Sequence, residues 1–317
     1  MSLRVVFMGT PHFAVPSLQA LVEAGYDVAG VFTQPDRPKG RGGKVEQSPV
    51  KEYAVSRGIP VFQPNRIRVD GVADLRSLAP DLCVTAAFGQ ILSQEVLDIP
   101  PLGTVNVHAS LLPRHRGAAP VQWAILQGDG ETGITTMLTD KGIDTGDILL
   151  KAACSILETD TAGGLLQKLS GMGAELLLKT IVLLEQGTCP RQKQLESDAT
   201  YEPMLTKEMG LLHFGEGTQL CLRRVRAMDP WPGAYARLEE GVLKVWQAAA
   251  VEDEGGRDAR PGTILSADSS HGLVLATEDG AIRLIQVQAP NGKRMDARDF
   301  LRGHAMQTGR LLSEVRL

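Results

Sequence analysis

Short β-branched runs alternate with helical patterns along the first part of the sequence, and this alternation limits the possible folds more than any other feature. Strands are predicted at residues 5–8, 27–33, 81–87, 104–109, 134–138 and 148–152, and helices at residues 13–24, 49–57, 118–126 and 162–185. A repeated strand–helix–strand order requires a mostly parallel sheet with helices on both faces. We therefore predict an α/β, Rossmann-like domain over residues 1–189, in which ligands bind beyond the carboxyl ends of the strands.

The chemistry of the chain changes near residue 190. Residues 190–206 are polar, contain Pro190 and Pro203 and lack a hydrophobic period, which is typical of a linker. Beyond this segment a helix is predicted at residues 216–228, followed by short strands at residues 234–238, 242–251, 262–266, 273–277 and 282–287. Short strands separated by turn signals predict a small OB-like β-barrel domain within residues 207–317.

Composition excludes several classes of protein. The apolar fraction of 43% and the charged fraction of 22% are ordinary for a globular protein and argue against disorder or a coiled coil. No apolar run is long enough to span a membrane and no secretory signal begins the sequence, so we expect a cytoplasmic protein without a membrane partner. The four cysteines lack a C-x-x-C pair or metal-ligand spacing, which predicts buried apolar thiols rather than a zinc site or disulfides.

The net charge of −4 argues against binding of nucleic acid by bulk electrostatics, but it leaves room for local basic patches. The loop after the second predicted strand contains Asp36 and four cations, namely Arg37, Lys39, Arg41 and Lys44. The helix predicted after the linker contains a second cluster, namely Arg223, Arg224 and Arg226. Both patches could contact phosphates, although charge runs more often simply face water.

The run NVHASLLPRHRG at residues 106–117 contains the first candidate catalytic residues. Asn106 and His108 are two positions apart on a predicted strand, so both side chains point to the same face of the sheet. A carboxamide N–H can donate to a developing oxyanion, and an imidazole can exchange protons near neutral pH. This pair suits acyl transfer to an amine better than phosphoryl or hydride transfer. The structural alternative is a hydrogen-bonded core histidine beside an asparagine that ends a strand.

The run TDKGIDTGD at residues 139–147 contributes a candidate carboxylate. Glycines on both sides of Asp144 let the backbone turn sharply and present this side chain into a cleft. There it would orient His108 or relay a proton, whereas an Asx turn that stabilises the loop is the structural alternative. We expect Asn106, His108 and Asp144 to converge in one crevice, because each is predicted at the carboxyl end of a parallel strand.

Several runs spread over nearly the whole chain carry a resemblance to a known family. They are FMGTPHFA at residues 7–14, TQPDRPKGRGG at 33–43, SPVK at 48–51, NVHASLLPRHR at 106–116, DTGD at 144–147, RAMDPWPG at 226–233 and FLRG at 300–303. In these runs the chain resembles the 10-formyltetrahydrofolate-dependent formyltransferases. The insertion at residues 34–49 and the C-terminal barrel-like domain are similar to those of the branch that acts on tRNA.

The resemblance implies roles for particular residues. It implies that the catalytic residues are Asn106, His108 and Asp144. It implies folate binding by Phe88, Gly89, Gln90, Ile91, Leu92, Ser110, Leu111, Leu112 and Pro113. It implies tRNA binding by Arg37, Lys39, Arg41, Lys44, Arg223 and Arg224, with Arg41 at the position similar to the family's critical arginine.

The resemblance also implies a reaction. The formyl group of the co-substrate 10-formyltetrahydrofolate would pass to the amino group of initiator methionyl-tRNA, giving N-formylmethionyl-tRNA for translation initiation in a bacterial cytoplasm. No metal is expected, because an amine that attacks an activated formamide needs only oriented donors and proton management. We expect the protein to be a monomer.

Two other functions stay open at this point. A different folate-dependent enzyme would use a sugar nucleotide or a small amine as acceptor, or would hydrolyse the donor to formate, and such relatives are expected to lack the basic insertion. An RNA-binding protein without catalysis is the second alternative. The presence of Asn106, His108 and Asp144 together disfavours it.

Overall fold

The computed structural model describes residues 3–39, 44–238, 241–252 and 258–312. Its strands are β1 (Arg4–Gly9), β2 (Asp27–Phe32), β3 (Arg37–Lys39), β4 (Lys44–Glu46), β5 (Val61–Phe62), β6 (Leu82–Ala86), β7 (Thr104–His108), β8 (Arg116–Gly117), β9 (Glu131–Leu138), β10 (Ile148–Ser155), β11 (Tyr201–Glu202), β12 (Ala234–Leu238), β13 (Gly241–Val251), β14 (Ile264–Asp268), β15 (Gly272–Ala276), β16 (Ala281–Gln288) and β17 (Met295–Asp296). Its helices are α1 (Val15–Glu23), α2 (Pro49–Ser56), α3 (Ile67–Asp70), α4 (Val72–Ser77), α5 (Gln94–Leu97), α6 (Pro120–Gln127), α7 (Ala162–Glu185), α8 (Thr218–Ala227) and α9 (Ala297–Gly303). Short 3-10 turns lie at His12–Ala14, Glu196–Asp198, Glu208–Gly210 and Phe214–Glu216.

The chain forms two compact units. The first comprises Met1–Pro120, Glu131–Ser155 and Leu165–Glu202, and the second comprises Val121–Gly130, Ile156–Gly164 and Pro203–Leu317. Two short segments of the predicted first domain thus belong to the second unit, and most of the predicted linker belongs to the first. Within the described residues, no helix has the length and apolar content that a membrane crossing requires.

A seven-stranded sheet in the order β10-β9-β7-β6-β1-β2-β5 forms the centre of the first unit. Strands β7, β6, β1, β2 and β5 pair in parallel. In β1, the four residues from Val5 to Met8 are completely buried, as expected for a strand that is covered on both faces. The predicted mostly parallel sheet is confirmed.

Strand β9 differs from the prediction in its direction. It pairs antiparallel with β7 on one side and with β10 on the other. The prediction that Asp144 follows a parallel strand was therefore wrong. Helix α6 lies between β7 and β9 in sequence, as the crossover helix of a parallel strand pair does, and this suggested a parallel β9. The connection between β9 and β10, residues 139–147, is too short for a parallel crossover, which needs about a dozen residues.

The second unit contains an antiparallel sheet in the order β12-β13-β16-β15-β14, with β17 paired to β16. The ends of the five predicted strands differ from the observed ends by at most two residues. Helix α9 was not predicted; it packs on β15 and β16 and buries Phe300. The predicted succession of short strands is therefore confirmed, and these strands form one antiparallel sheet.

Several short elements of the first unit were not predicted. The basic insertion contains the antiparallel pair β3–β4, in which Arg37 lies opposite Glu46. Strand β5 and helices α3, α4 and α5 are two to six residues long. Elements this short depend on tertiary packing, because helix nucleation is unfavourable and local propensity is weak.

The four cysteines differ in burial, and no disulfide joins them. Burial raises the pKa of Cys83 and of Cys221 to about 12, whereas Cys154 and Cys189 are half-buried. We expect iodoacetamide at about pH 8 to modify Cys154 before Cys83 or Cys221, since the thiolate is the nucleophile. Peptide mass spectrometry of the native protein checks this order, and early modification of Cys83 would contradict it.

Candidate active site

Strand β7 places Asn106 beside Thr85 of the neighbouring strand β6, with the two residues directly paired. The Thr85 hydroxyl donates to Asn106 Oδ1 over 2.9 Å, and Asn106 Nδ2 donates to Asp144 Oδ1 over 3.4 Å. Because its oxygen is occupied by Thr85, the carboxamide is held with its N–H groups directed at Asp144.

His108 lies two residues further along β7 and is 6% exposed. Its Nε2 forms a 2.9 Å hydrogen bond with the backbone carbonyl of His115. A carbonyl only accepts, so Nε2 carries a proton in this geometry. His108 Nδ1 lies 3.6 Å from Asp144 Oδ2, which is within ion-pair range but longer than a hydrogen bond. The imidazole therefore directs Nδ1 toward the carboxylate.

Asp144 reaches this pair from the loop between β9 and β10. Although β9 is antiparallel and ends beside Val105, the loop still brings the carboxylate to Asn106 and His108. Asp144 has a φ of 54°, in the left-handed region, which aspartate tolerates better than most residues. The structure thus brings the three predicted catalytic side chains together by a route that the sequence did not indicate.

Hydrogen-bond donors fix both the side chain and the backbone of the Asp144 turn. Gly117 N–H donates to Asp144 Oδ2 over 2.8 Å. Gln194 Nε2 donates to the backbone carbonyls of Asp144 and Gly146, each over 2.8 Å. The carboxylate is therefore positioned both directly and through its own backbone.

Replacing Gly117 by alanine is expected to lower kcat about tenfold and to destabilise the protein by about 1–3 kcal/mol. Gly117 has a φ of 95°, and a Cβ there would lie 2.7 Å from the Glu202 carbonyl oxygen. Relief of this collision moves the Gly117 N–H away from Asp144. Steady-state kinetics and thermal unfolding measure the two effects.

Gly187→Ala is the matched control for that substitution. Gly187 also has a positive φ, but nothing lies within 4 Å of a Cβ built there. We expect this variant to lose stability without losing kcat. Wild-type kcat in Gly117→Ala would contradict the role given to its N–H.

The first segment predicted to bind folate follows β6 and comprises Phe88, Gly89, Gln90, Ile91 and Leu92. Phe88 and Leu92 are buried in the core, whereas Ile91 is 70% exposed. The Gln90 side chain accepts from the backbone N–H of residue 67 and donates to the carbonyl of residue 64. Gln90 is thus committed to the fold, and Ile91 is accessible to a ligand.

The second predicted folate segment comprises Ser110, Leu111, Leu112 and Pro113. Ser110 and Leu112 are completely buried. Thr135 Oγ1 bridges them, because it donates to the Ser110 carbonyl over 2.7 Å and accepts from Leu112 N–H over 3.1 Å. The Thr135 side chain therefore fixes the backbone of this loop. The Leu111 and Pro113 side chains are half-buried.

Hydrogen bonds hold the two ends of the basic insertion, residues 34–49. The hydroxyls of Thr33 and Ser48 are hydrogen-bonded over 2.7 Å. The Asp36 carboxylate accepts from Lys51 Nζ over 2.5 Å and from Gln63 Nε2 over 2.8 Å. The Lys51 bond, and then the Gln63 bond, lower the pKa of Asp36. Asp36 is therefore paired with a lysine from helix α2.

A cleft of about 470 Å³ lies beside the insertion, and its lining includes Thr10, Gln34, Arg37, Glu46, Ser48 and Gly89. Gln34 Nε2 donates to the carbonyls of Phe88 and Gly89 over 3.2 and 3.0 Å. The cleft therefore adjoins both the basic insertion and the first predicted folate segment.

The residues predicted to bind tRNA in the insertion are placed as follows. Arg37 is exposed at the start of β3. The backbones of Lys39 and Lys44 pair with each other across β3 and β4. Arg41 lies outside the described residues.

The second predicted basic cluster makes contacts within its own unit. Arg223 lies over Gly128. Arg224 Nη1 is 2.6 Å from Glu216 Oε2, and its side chain is only 13% exposed. Arg226 donates to two backbone carbonyls, and burial lowers its pKa. A phosphate bound by Arg224 would have to replace its contact with Glu216. Glu216 precedes the cluster in sequence and was not expected beside it.

Sequence reasoning missed the residues that support the candidate catalytic side chains: Thr85, His115, Arg116, Gly117, Gln194 and Glu202. The Arg116 side chain is 1% exposed and donates to Gln194 Oε1 over 3.0 Å. Burial alone would lower the pKa of Arg116, but its hydrogen bonds to Glu196 and Tyr201 raise it. Thr85 is the one hydroxyl-bearing residue in the otherwise apolar strand β6, which could have indicated it. No local pattern links residue 116 to residue 194. In the described ranges, no group of His, Cys, Asp and Glu side chains could hold a metal ion.

Comparison with known families covers both units. Residues 3–181 match the family described as formyl transferase, and residues 204–305 match the formyl transferase C-terminal domain. The chain belongs to the formyl transferase family. The resemblance stated from the sequence is therefore confirmed.

Curated members of the formyl transferase family are similar over almost their whole length. The methionyl-tRNA formyltransferase of Ruminiclostridium cellulolyticum is 45% identical over 313 residues, which cover 98% of this chain and 100% of that protein. The methionyl-tRNA formyltransferase of Symbiobacterium thermophilum is 49% identical over 310 residues, which cover 97% and 94% of the two chains.

Solved structures with this formyl transferase fold are more distant in sequence. A variant of HypX from Aquifex aeolicus has a TM-score of 0.66 at 18% identity, and the match covers 96% of this chain but only 48% of HypX. An N-formyltransferase from Helicobacter canadensis, in complex with folinic acid and dTDP-3-aminofucose, has a TM-score of 0.65 at 18% identity and coverages of 90% and 99%. These likenesses show the fold alone.

Proposed function

We propose that this chain transfers the formyl group of 10-formyltetrahydrofolate to the amino group of initiator methionyl-tRNA, giving N-formylmethionyl-tRNA for translation initiation. The observation that carries the proposal is the meeting of an amide, an imidazole and a carboxylate, with Asp144 lying 3.4 Å from Asn106 and 3.6 Å from His108. Support for the acceptor comes from curated relatives at 45% and 49% identity, which are named methionyl-tRNA formyltransferases.

The donor set of the site fits a folate that carries a formyl group. The oxygen of a formamide needs N–H donors, and Asn106 Nδ2 faces the site with its orientation fixed by Thr85. The exposed side chain of Ile91 offers an apolar surface to a flat ring system. A bound 10-formyltetrahydrofolate would supply the activated formyl carbon, and the segments at residues 88–92 and 110–113 would hold it.

Asn106 and His108 act on the formyl oxygen in the proposed mechanism. As the substrate amine adds to the formyl carbon, negative charge develops on that oxygen, and N–H groups on Asn106 Nδ2 and His108 Nδ1 stabilise it. Because Nε2 of His108 already donates to His115, a second proton at Nδ1 would make the ring a charged donor.

Asp144 manages the proton in this mechanism. It accepts the proton that the attacking amine loses and passes it to the folate nitrogen as the bond between that nitrogen and the formyl carbon breaks. One C–N bond forms, one breaks, and one proton moves from the amine to the folate. The reaction is therefore balanced without a further reactant.

Arg41→Ala is expected to raise KM for methionyl-tRNA about tenfold and to make binding less sensitive to salt, with a slope reduced by about one. The expected cause is loss of a phosphate contact from an insertion in which the Asp36 carboxylate is already engaged by Lys51. Kinetics over a range of salt concentrations measure both effects. Arg57→Ala removes an exposed cation outside the insertion and serves as the control. Unchanged KM and salt slope in Arg41→Ala would count against the RNA contact.

A competition assay tests the acceptor. The protein is offered 10-formyltetrahydrofolate labelled in its formyl group, together with initiator methionyl-tRNA, an amino-sugar nucleotide and a simple amine. We expect the label in methionyl-tRNA. Faster labelling of either small amine, or release of labelled formate alone, would refute the proposal and favour another folate-dependent enzyme.

We further propose that the protein works as a monomer in the bacterial cytoplasm, where aminoacylated initiator tRNA is used. Both named relatives come from bacteria. Light scattering of the pure protein should give the 34.1 kDa mass of one chain. A doubled mass would contradict the monomer.

A further inference from the structure

We propose that Glu202 and His115 form a buried positioning pair that fixes the orientation and the tautomer of His108. The pair acts through the backbone carbonyl of His115, which His108 Nε2 meets at 2.9 Å. The inference rests on the proposed catalytic role of His108. Its main readout is spectroscopic, so it can be tested without turnover.

The contact between the two side chains is almost completely enclosed. His115 Nδ1 lies 2.9 Å from Glu202 Oε1, and the side chains are 4% and 5% exposed. A carboxylate only accepts, so His115 Nδ1 donates. A buried carboxylate without donors is strongly disfavoured, so breaking the contact between Glu202 and His115 would be costly. The contact therefore keeps the His115 imidazole in a defined position.

The backbone of His115 has a conformation that needs such a hold. Its φ is 57°, in the left-handed region, which is uncommon for residues other than glycine although histidine adopts it more often than most. A residue stays in this region only where its surroundings fix it. In this conformation the His115 carbonyl is directed at the ring of His108.

The parallel strand pair β8–β11 fixes both ends of the contact. His115 N–H donates to Thr200 Oγ1 over 2.8 Å. Arg116 N–H donates to the Thr200 carbonyl over 2.8 Å, and Ala118 N–H donates to the Glu202 carbonyl over 3.1 Å. The Glu202 side chain and the His115 backbone therefore belong to one small hydrogen-bonded frame.

The fixed His115 carbonyl determines which nitrogen of His108 carries the proton and which one faces Asp144. A fixed acceptor at Nε2 keeps the proton of the neutral ring on that nitrogen and leaves Nδ1 as the atom that faces Asp144. Without that acceptor the ring could rotate or move its proton to Nδ1. In part of the molecules Nδ1 would then point away from the formyl oxygen, or Nε2 would lack the proton that makes the doubly protonated ring a charged donor, although the substrates would still bind.

Glu202→Ala is expected to lower kcat about tenfold, the loss typical when a group that orients a reacting side chain is removed. KM for folate and for methionyl-tRNA should stay within about twofold, because the pair touches neither substrate in the proposed mechanism. Glu202→Gln keeps an acceptor oxygen and should recover most of the rate. Asp198→Ala removes an exposed carboxylate from the same segment and should behave as wild type.

Nitrogen-15 NMR of the His108 ring gives the direct readout. We expect the Nε2–H form in the wild-type protein and in Glu202→Gln, and a mixture of tautomers in Glu202→Ala. Thr200→Val removes the hydroxyl that accepts from His115 N–H over 2.8 Å and donates to Glu202 Oε1 over 3.3 Å, while Glu202 keeps its contact with His115 Nδ1. It should shift the tautomers in the same direction, so it replaces Glu202→Ala if that variant does not fold.

Unchanged tautomers in a folded Glu202→Ala or Thr200→Val protein would overturn the proposal. Equal loss of kcat in Glu202→Ala and Glu202→Gln would also overturn it, because the glutamine should rescue. Failure of the proposed mechanism is distinguished by His108→Ala. Wild-type turnover in that variant would refute a catalytic role of His108 and leave the tautomer measurement standing.

Discussion

Replacement of Asn106 by alanine is expected to lower kcat by about a hundredfold or more, with KM for both substrates close to wild type. One N–H donor to a developing oxyanion contributes about 3–4 kcal/mol to lowering the barrier. Asn106 Nδ2 is aimed at the site because Thr85 occupies Oδ1 over 2.9 Å. Its hydrogen bond strengthens as charge develops, so the loss falls on the chemical step. Single-turnover kinetics measure that step.

Two further variants test whether the orientation of the Asn106 carboxamide is what matters. Thr85→Val keeps Asn106 but frees its carboxamide to rotate, and we expect an intermediate loss of about tenfold. Asn65→Ala removes an exposed amide elsewhere in the same unit and should have wild-type kcat. Near-normal turnover by Asn106→Ala would exclude the carboxamide as the main oxyanion donor.

Asp144→Asn is expected to lower kcat by about a hundredfold to a thousandfold, because it removes the group that takes up the proton of the amine. The substitution keeps the shape of the side chain. Both carboxylate oxygens accept N–H donors, from Asn106 Nδ2 over 3.4 Å and from Gly117 over 2.8 Å. A carboxamide would place its NH2 group against one of these donors, so orientation is lost together with charge.

Asp140→Asn is the control for the Asp144 loop. Asp140 lies in the same loop, is exposed, and accepts from Thr145 Oγ1 rather than from the candidate catalytic residues. We expect this variant to keep kcat within about threefold of wild type. If Asp144→Asn turned over as fast as Asp140→Asn, proton transfer would have to be managed by another group.

The parts of the fold with a sustained period or a continuous apolar run could be predicted from the sequence. Helix α7 has the predicted bounds, since its apolar period continues over 24 residues. Strand β1 could be predicted because its residues 5–8 form a continuous apolar run, as in strands covered on both faces. Short elements such as the β3–β4 pair could not be predicted, because tertiary contacts rather than local sequence stabilise them.

The candidate site was predictable only in part. The spacing of Asn106 and His108 places them on one face of a strand, and this information is local. The supporting contacts are not local: Thr85 meets Asn106 across 21 residues, and His115 meets Glu202 across 87. A pattern within one segment contains no information on such contacts.

The predicted linker illustrates the same point. Residues 190–202 lack a hydrophobic period because they are held by hydrogen bonds rather than by apolar packing. Gln194 holds the Asp144 turn, and Glu202 holds His115. A segment that is typical of a linker in composition thus supports two of the three candidate catalytic residues.

The most direct test of the account is single-turnover transfer of a labelled formyl group from 10-formyltetrahydrofolate to methionyl-tRNA. It compares the wild-type protein, Asn106→Ala, Asp144→Asn and the double variant. Residues that act on one transition state as a unit give non-additive losses. The account predicts a loss of about a hundredfold or more in each single variant, and little further loss in the double variant. Wild-type transfer by either single variant, or losses that multiply fully in the double variant, would contradict it.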